Sequence, residues 1–366
     1  MKDKLNKKNL IMIGIFLVFI IIVIFGGALL YNKLFFKKSY SEVESIMVEA
    51  TREYFKENEE KLPKNINDSI TVNVDTLVRN NNMNTIVSYT KDRSVTCDGN
   101  VTVTNINGNY RYSTNLDCGD AYTTKSLTEY IKDNNEIVTS GNGIYELNNE
   151  LVYRGDNVNN YLKLNGHYYR IVKIVDGRAV IIFSDKLESV VWDNRYNIDY
   201  DSNSGINNYE ISRMRDYLNN LYNDTGKEAI LSESARMLVT SYDLPIGKRI
   251  DADTDKSGSL EKSAILSNQY IGLLPVSDFL NASIDVNCTN TTNKSCSNYN
   301  YLNKYKYTWW TITANNKHTH KVYTINSVPG IATTSSSAYA RFVFYLASDA
   351  IYVSGDGTSS NPYIIK

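Results

Sequence analysis

An acidic run in the second half of the chain has the residue types of a calcium-binding loop. Counting from Asp253, aspartates stand at the first and third positions, Ser257 at the fifth and Gly258 at the sixth. Oxygen ligands at alternate positions, with a glycine for the sharp turn, are typical of an EF-hand-type loop. The twelfth position, where a bidentate glutamate closes the ligand shell, is Ala264. The run Asp253–Glu261 therefore predicts either a weak calcium site or a solvated acidic surface loop.

Other patterns that could support catalysis or metal binding are weaker. His318 and His320 would lie on one face of a strand and could bind a metal, but no acidic or cysteine partner stands near them in the sequence. The chain contains no G-x-S-x-G, no P-loop, no dinucleotide-binding glycine turn and no H-E-x-x-H motif. We therefore predict no enzymatic activity, no cofactor and no metal, and the ligand-binding residues stay unassigned.

The four cysteines form two local pairs. Cys97 and Cys118 enclose one short segment and Cys288 and Cys296 another, without the C-x-x-C spacing of zinc or redox sites. This arrangement predicts two disulfides, Cys97–Cys118 and Cys288–Cys296, and four buried free thiols are the alternative. In the chain-entropy model each closed loop stabilises the fold by about 3 kcal/mol. Because disulfides need an oxidising compartment, the large C-terminal part is expected outside the cell.

Composition excludes some functional classes. The chain has 366 residues, with 39 Lys+Arg against 40 Asp+Glu, which gives a formal net charge of −1. This balance lacks the basic field of nucleic-acid binders, so no nucleic-acid partner is expected. Only 5 Pro and as many as 29 Tyr argue against a disordered chain. A chain of this length predicts about two domains.

An uncharged apolar run, Leu10–Tyr31, predicts a membrane helix near the N-terminus. At 1.5 Å per residue, about 22 residues cross the roughly 30 Å hydrocarbon core of a bilayer. No small-x-small cleavage site ends the run, so it reads as an uncleaved anchor. Lysines on both sides favour a cytoplasmic N-terminus only slightly. The sequence thus predicts a single-pass protein of the cell membrane, with the lipid bilayer as a partner and extracellular C-terminal domains.

The segment after the membrane run predicts a helix followed by a small sheet. Ser41-Glu42-Val43-Glu44 fits a capping box, and apolar residues recur at helical spacing from there until Leu62-Pro63. Two alternating segments joined by Asn107-Gly108 predict a β-hairpin. Cys97 and Cys118 flank this hairpin, so their disulfide would join its open ends.

The second half predicts strands with few helices between them. The strands Tyr161–Leu164, His167–Val175 and Arg178–Phe183 are joined by Asn-Gly and Asp-Gly turns. Apolar periodicity predicts helices over Ile211–Tyr222 and Ala229–Leu238. Further strands are predicted over Tyr307–Thr313, Lys321–Ile325, Phe342–Leu346 and Ile351–Val353. Trp309 and Trp310 would face opposite sides of their strand, which places both in the core or one of them in a groove.

The N-terminal elements resemble the type IV pilin and pseudopilin architecture, in which a membrane helix and an amphipathic helix precede a small antiparallel sheet. The resemblance is carried by Tyr54 to Pro63, Val74-Asp75-Thr76-Leu77-Val78, Cys97-Asp98-Gly99 and Asp117-Cys118-Gly119. It implies a pilin-like domain over residues 39–125.

The C-terminal half resembles a surface domain of low-GC Gram-positive bacteria and Mollicutes that is related to the C-type-lectin-like and sulfatase-modifying-factor folds. The resemblance is carried by Asn160-Tyr161-Leu162, Asn165-Gly166, Tyr169-Arg170-Ile171-Val172, Trp192-Asp193, Tyr217-Leu218-Asn219, Ile271-Gly272-Leu273-Leu274, Ser277-Asp278, Trp309-Trp310-Thr311-Ile312-Thr313, Arg341, Tyr345-Leu346, Ser354-Gly355-Asp356-Gly357-Thr358 and Asn361-Pro362-Tyr363. It implies a C-type-lectin-like mixed α+β domain over residues 159–366. The cysteine chemistry of sulfatase-modifying factors does not carry over, because no cysteine of this chain matches.

The predicted fold class is α+β, with an N-terminal transmembrane helix, a small pilin-like domain and a C-type-lectin-like domain. Along the chain this gives a cytoplasmic tail (1–9), the membrane helix (10–31), the pilin-like domain (39–125), a linker (126–158) and the lectin-like domain (159–366). The predicted function is that of a membrane-anchored bacterial cell-surface protein whose head binds an unknown extracellular glycan or protein. The alternative is a structural pseudopilin-type subunit of a pilus or secretion apparatus.

Overall fold

The computed structural model describes residues 38–90, 94–226, 229–304 and 307–366, together with Val18. Their contacts divide them into two compact units. The first unit contains Thr71–Val101 and Thr114–Thr123 together with the described residues up to Lys61. The second contains Leu62–Ile70, Thr102–Ser113 and Thr124–Lys366.

The N-terminal elements are one long helix, two short helices and a three-stranded sheet of order β1-β2-β3. Their bounds are α1 (Tyr40–Lys56), β1 (Ser69–Asn73), α2 (Val74–Arg79), α3 (Ile86–Tyr89), β2 (Asp98–Ile106) and β3 (Asn109–Asp117). The predicted hairpin is present as β2 and β3. At its turn, Asn107 and Gly108 both have positive φ angles, as a two-residue hairpin turn requires.

The N-cap of helix α1 lies two residues before the one predicted, Ser41. Ser39 is the N-cap, and it forms the reciprocal hydrogen bonds of a capping box with Glu42. The predicted partner Glu44 instead is buried and accepts a hydrogen bond of 3.0 Å from the Tyr122 hydroxyl. The buried face of α1 includes Val43 and Met47, as the helical spacing predicted.

The described part of the second unit is built mainly of strands, with four short α-helices. The helices are α4 (Leu127–Asn134), α5 (Arg213–Asn223), α6 (Glu233–Met237) and α7 (Val276–Ala282). The strands are β4 (Gly143–Leu147), β5 (Glu150–Arg154), β6 (Tyr161–Leu164), β7 (His167–Val175), β8 (Arg178–Phe183), β9 (Ser189–Val191), β10 (Val239–Thr240), β11 (Tyr242–Pro245), β12 (Lys248–Arg249), β13 (Ile265–Gln269), β14 (Gly272–Leu273), β15 (Trp309–Asn315), β16 (Lys321–Asn326), β17 (Val328–Thr333), β18 (Ser337–Tyr339), β19 (Phe342–Leu346), β20 (Tyr352–Ser354) and β21 (Tyr363–Ile365).

These strands form a larger and a smaller sheet plus one separate pair. The larger sheet has the order β10-β19-β8-β7-β6-β21-β20, with β14 on β19 and the hairpin β4–β5 attached to β7. The smaller sheet has the order β17-β16-β15-β18-β9, with β12 on β15, and β11 pairs with β13. The predicted strands β6, β7 and β8 are confirmed, and the turns at Asn165-Gly166 and Asp176-Gly177 have positive φ angles throughout.

Large aromatic side chains fill the interior of the second unit. Trp309 and Trp310 are both buried, and the Trp310 indole donates a hydrogen bond of 2.8 Å to the Val190 carbonyl. Both therefore belong to the core, and neither lines a groove.

The predicted fold class is wrong. The described chain consists mostly of strands and sheets with few helices, whereas the sequence predicted a mixed α+β fold. Local pairing explains part of the difference. Residues 126–158, predicted as a linker with a short helix, contain α4 and also the strands β4 and β5, which extend the sheet beside β7. The predicted helix Ala229–Leu238 is reduced to the single turn and a half of α6.

The membrane part of the prediction also needs correction. Among the described residues no helix is long and apolar enough to cross a bilayer. The longest, α1, has 17 residues and carries charged side chains, whereas about 20 apolar residues are needed. The predicted span Leu10–Tyr31 and the tail 1–9 lie outside the described residues, apart from Val18. The structure thus does not show the transmembrane helix, and the predicted single-pass localisation with extracellular domains is not retained.

Candidate ligand-binding cleft

An open cleft of about 320 Å³ lies within the second unit. It is bordered by residues of β5, β7 and β8, of β11 and β13, and of the segment that links β14 to α7. Apolar side chains form part of its wall, among them Val180, Leu273 and Val343. A concave site of this size with a few polar groups is the usual form of a small-molecule binding site.

The floor of the cleft holds a lysine between two carboxylates. Lys173 Nζ lies 2.9 Å from Glu150 Oε2 and 2.9 Å from Asp278 Oδ1. The side chains of Lys173 and Asp278 are less than a tenth exposed, and that of Glu150 is 15% exposed. At the edge of the group, Lys262 Nζ lies 3.1 Å from Glu150 Oε1. The four charges therefore form one continuous network from the floor towards solvent.

A β-bulge in β7 accompanies this arrangement. Opposite β8, Ile171 pairs with Ile181, but Lys173 pairs with Val180, so the register shifts by one residue between the two pairs. A bulge of this kind re-aims the following side chain. Val152 of β5 pairs with Lys173 on the other side. These contacts fix the lysine in a strand whose other residues are mostly buried and apolar.

Burial and neighbouring charges give the two carboxyl groups different proton affinities. Burial raises the pKa of Asp278 above its usual value, and the attraction of Lys173 only partly offsets this. Burial would also raise the pKa of Glu150, but Lys173 and Lys262 outweigh it and the pKa is lowered. Burial would lower the pKa of Lys173, yet the two carboxylates outweigh it and the pKa is raised. Glu150 is thus the more firmly ionised of the two acids.

The mouth of the cleft presents both signs of charge. Arg178 and Lys262 supply hydrogen-bond donors, and the exposed Asp176 and Asp243 supply acceptors. The Arg178 guanidinium also lies over the Tyr345 ring, 5.4 Å from its centre. A ligand in the cleft would therefore meet both hydrogen-bond donors and hydrogen-bond acceptors.

Comparison with protein-family models, with curated proteins and with solved structures finds no match. A function can therefore be inferred only from the residues of the cleft and from general chemistry.

The predicted calcium loop is organised around an arginine. Arg249, fully buried on β12, donates to Glu261 Oε2 at 2.8 Å and to Asp253 Oδ1 at 3.1 Å. It also donates to the backbone carbonyl of Asp255. Burial would raise the pKa of Asp255, but hydrogen bonds from Ser257 and its neighbour Ser259 outweigh it and lower the pKa to about 2. The guanidinium thus engages oxygen atoms that the calcium interpretation needed as ligands.

Both predicted disulfides are present. Cys97 and Cys118 are joined at an S–S distance of 2.04 Å, and Cys288 and Cys296 at 2.03 Å. Each disulfide lies within one local segment of the chain, as their spacing predicted. The alternative of four free thiols is excluded.

The two histidines contact tyrosine. His318 Nδ1 lies 3.1 Å from the Tyr200 hydroxyl, and the His320 ring packs on the edge of the same tyrosine. Among the described residues, no group of three or more His, Cys, Asp or Glu side chains is placed to hold a metal ion. Neither histidine lines the cleft.

Sequence reasoning did not identify the cleft residues. One signal was present: Lys173 interrupts the apolar run Ile171-Val172-Lys173-Ile174-Val175, and a charge inside a buried strand needs a partner. Its partners come from β5 and α7, the second of them about 100 residues further along the chain, and no local pattern connects them.

Proposed function

We propose that the second unit is a ligand-binding module whose cleft takes a small polyhydroxylated ligand of the carbohydrate type. The observation that carries this is the mouth of the cleft, which Arg178 and Lys262 line together with Asp176 and Asp243. Each sugar hydroxyl both donates and accepts hydrogen bonds, so adjacent donors and acceptors match it. An apolar wall that includes Val180 and Val343 suits the C–H faces of a sugar ring.

The buried pair on the floor supports the same proposal. Lys173 and Asp278 satisfy each other, so the floor presents little uncompensated charge to a neutral ligand. The charged side chains at the mouth are more exposed, so a ligand hydroxyl can replace the water molecules bound to them. The Arg178 side chain is 29% exposed; it forms a weak 4.0 Å pair with Asp176, lies over the Tyr345 ring and donates a long 3.4 Å hydrogen bond to the Ser241 carbonyl.

A glycan-array screen of the 366-residue chain, followed by calorimetric titration of the best hit, tests this proposal. Because a charge-assisted hydrogen bond contributes about 1.5–3 kcal/mol, Arg178→Ala should weaken binding about 10- to 100-fold. Asp243→Ala should also weaken it. The matched control is Arg79→Ala, an exposed arginine on α2 in the first unit, which should bind as the unaltered chain does. Absence of any saturable ligand, or affinity unchanged by both cleft substitutions, would contradict the proposal.

A further inference from the structure

The three groups on the floor of the cleft are also those that an intramolecular amide condensation needs. They are an amine, a carboxyl group that receives it and a second carboxylate in contact with the amine. We propose that Lys173 and Asp278 form an isopeptide bond within the chain, with Glu150 as its acid–base catalyst. This goes beyond the proposed ligand binding and does not depend on it.

Proximity is the first reason. Lys173 Nζ lies 2.9 Å from Asp278 Oδ1, so the amine is in contact with the carboxyl group that it would attack. Well-oriented groups held in this way reach effective molarities of about 10⁵–10⁸ M, which offsets the unfavourable condensation of an amine and an acid in water. Lys173 is held by strand pairing on both sides, and Asp278 lies in α7, which packs against β5.

Burial is the second reason. Condensation needs a neutral amine and a protonated acid, and transfer of one proton from Lys173 to Asp278 produces both at once. Burial taken alone favours the neutral form of each group, whereas the neighbouring carboxylates favour the charged form of Lys173. Asp278 is 6% exposed and Lys173 is 7% exposed. The ion pair remains the main form, so condensation is slow. Each molecule needs to react only once, however, so the reaction can proceed through the small fraction in which Lys173 and Asp278 are both neutral.

The second carboxylate is the third reason. Glu150 Oε2 lies 2.9 Å from Lys173 Nζ, within reach of the proton that the amine must lose. Lys262 contacts the other oxygen of Glu150 and favours its ionised form. The two carboxyl groups therefore have different roles. Glu150 is ionised and serves as the base, whereas Asp278 is buried and serves as the electrophile.

The step balances without a further reactant. Neutral Lys173 Nζ attacks Asp278 Cγ and forms a C–N bond, while Glu150 accepts the proton from Nζ. Glu150 then returns that proton to the departing Asp278 hydroxyl, the C–O bond breaks, and one water leaves. The product joins β7 to α7 and closes a loop of about 100 residues, which restricts the unfolded chain.

Mass spectrometry of the reduced and alkylated full-length chain tests the proposal directly. The expected mass is that of the sequence plus one alkyl group on each of the four cysteines, less one water. A tryptic digest should contain one branched species that joins the peptide of Lys173 to the peptide of Asp278. Succinimide formation at Asp-Gly also releases water, so a loss that maps to Asp176-Gly177 or another Asp-Gly peptide counts against the proposal. An unshifted mass with both linear peptides recovered overturns it.

Variants separate the roles of the three residues. Lys173→Arg keeps the positive charge but should show the full mass. Asp278→Asn should cross-link with loss of ammonia in place of water. After cell-free synthesis, Glu150→Gln should link about 100-fold more slowly, whereas the exposed Glu146→Gln should match the unaltered chain. Linking of Glu150→Gln at the unaltered rate would overturn the catalytic role of Glu150.

Discussion

At the scale of single residues, buried charges organise the polar interior of the second unit. Arg249 has no exposed surface and is neutralised by Asp253 and Glu261. Lys173 is neutralised in the same way by Glu150 and Asp278. A buried charge without such partners would be costly, so Arg249 orders the acidic loop that follows it, and Lys173 fixes β5 and α7, which lie apart in sequence.

The arginine in the acidic loop leads to a prediction about calcium. Because Arg249 already engages Asp253, Glu261 and the Asp255 carbonyl, a cation would have to displace a buried guanidinium. Calorimetric titration of the chain with millimolar calcium should therefore release no heat above dilution. Saturable heat that Asp253→Ala abolishes would show that the loop does bind calcium.

Removal of the arginine should be strongly destabilising. Arg249→Met leaves Asp253 and Glu261 buried without a cation, and breaking a buried ion pair in this way costs about 3–5 kcal/mol. The free energy of unfolding in urea measures the loss. Replacing Glu261 by Gln in the Arg249→Met background removes one uncompensated charge and should recover part of it. A double variant no more stable than Arg249→Met would argue against this pairing.

At the scale of elements, the long connection from β9 to α5 is held by close packing at a glycine. Gly205 has φ +82°, and a β-carbon there would lie 2.1 Å from the Asp193 carbonyl oxygen and 2.2 Å from Thr334 Oγ1. Asn207 further ties this connection to the carbonyl oxygens of Asn315 and His318, both at 2.8 Å. Any side chain at position 205 would overlap the Asp193 carbonyl oxygen, so only glycine fits there.

Two glycine substitutions separate backbone strain from steric overlap. Gly166→Ala, in the β6–β7 turn, has φ +79° but open space around the new methyl group, so only strain of about 1–2 kcal/mol is expected. Gly205→Ala has the same strain plus the overlap with Asp193, and should destabilise by about 1–3 kcal/mol more. Thermal unfolding of both variants measures the difference. Equal losses would show that the connection relaxes around the new methyl group.

The elements that the sequence predicted well are those with a strong local signal. The Asn-Gly and Asp-Gly turns predicted β6, β7 and β8 with their observed bounds, because these turns fix the register of a hairpin. Helix α5 was predicted from its apolar spacing, and Ser212 supplies its N-cap. Strands β4 and β5 were missed because they are short and lie in a segment rich in Asn and Gly, although they pair with each other and β5 also pairs with β7.

At the scale of the whole molecule, tyrosine dominates the response to alkali. Burial raises the pKa of Tyr323 and of Tyr345 to about 12, and that of Tyr153 and Tyr242 also lies well above 10. In the unfolded chain these groups titrate near pH 10. The unfolded state therefore releases protons first, so the stability that these groups contribute is present below about pH 10 and is lost as the pH rises.

We accordingly expect cooperative unfolding above about pH 10, with two phases of tyrosinate absorbance. Exposed tyrosines should titrate first, and buried ones together with the loss of near-ultraviolet circular dichroism. In urea the same chain should titrate in one phase near pH 10. A single phase in the folded chain, with structure retained throughout, would contradict the predicted burial.

The site is less predictable from sequence than the fold. Local patterns gave the disulfides, because both cysteines of each pair lie in one segment. The cleft joins Glu150, Lys173, Lys262 and Asp278 from separate elements, and their meeting depends on the sheet order and on the bulge in β7. The fold class was wrong in part because the hairpin β4–β5 and its pairing with β7 were not predicted.

The most direct test of the proposed function is a crystal structure of the chain with the best ligand from the glycan screen. We expect ligand density in the cleft, with hydroxyl groups within hydrogen-bond distance of Arg178 and of Asp243 or Lys262. Density at another surface, or an empty cleft at saturating ligand, would contradict it.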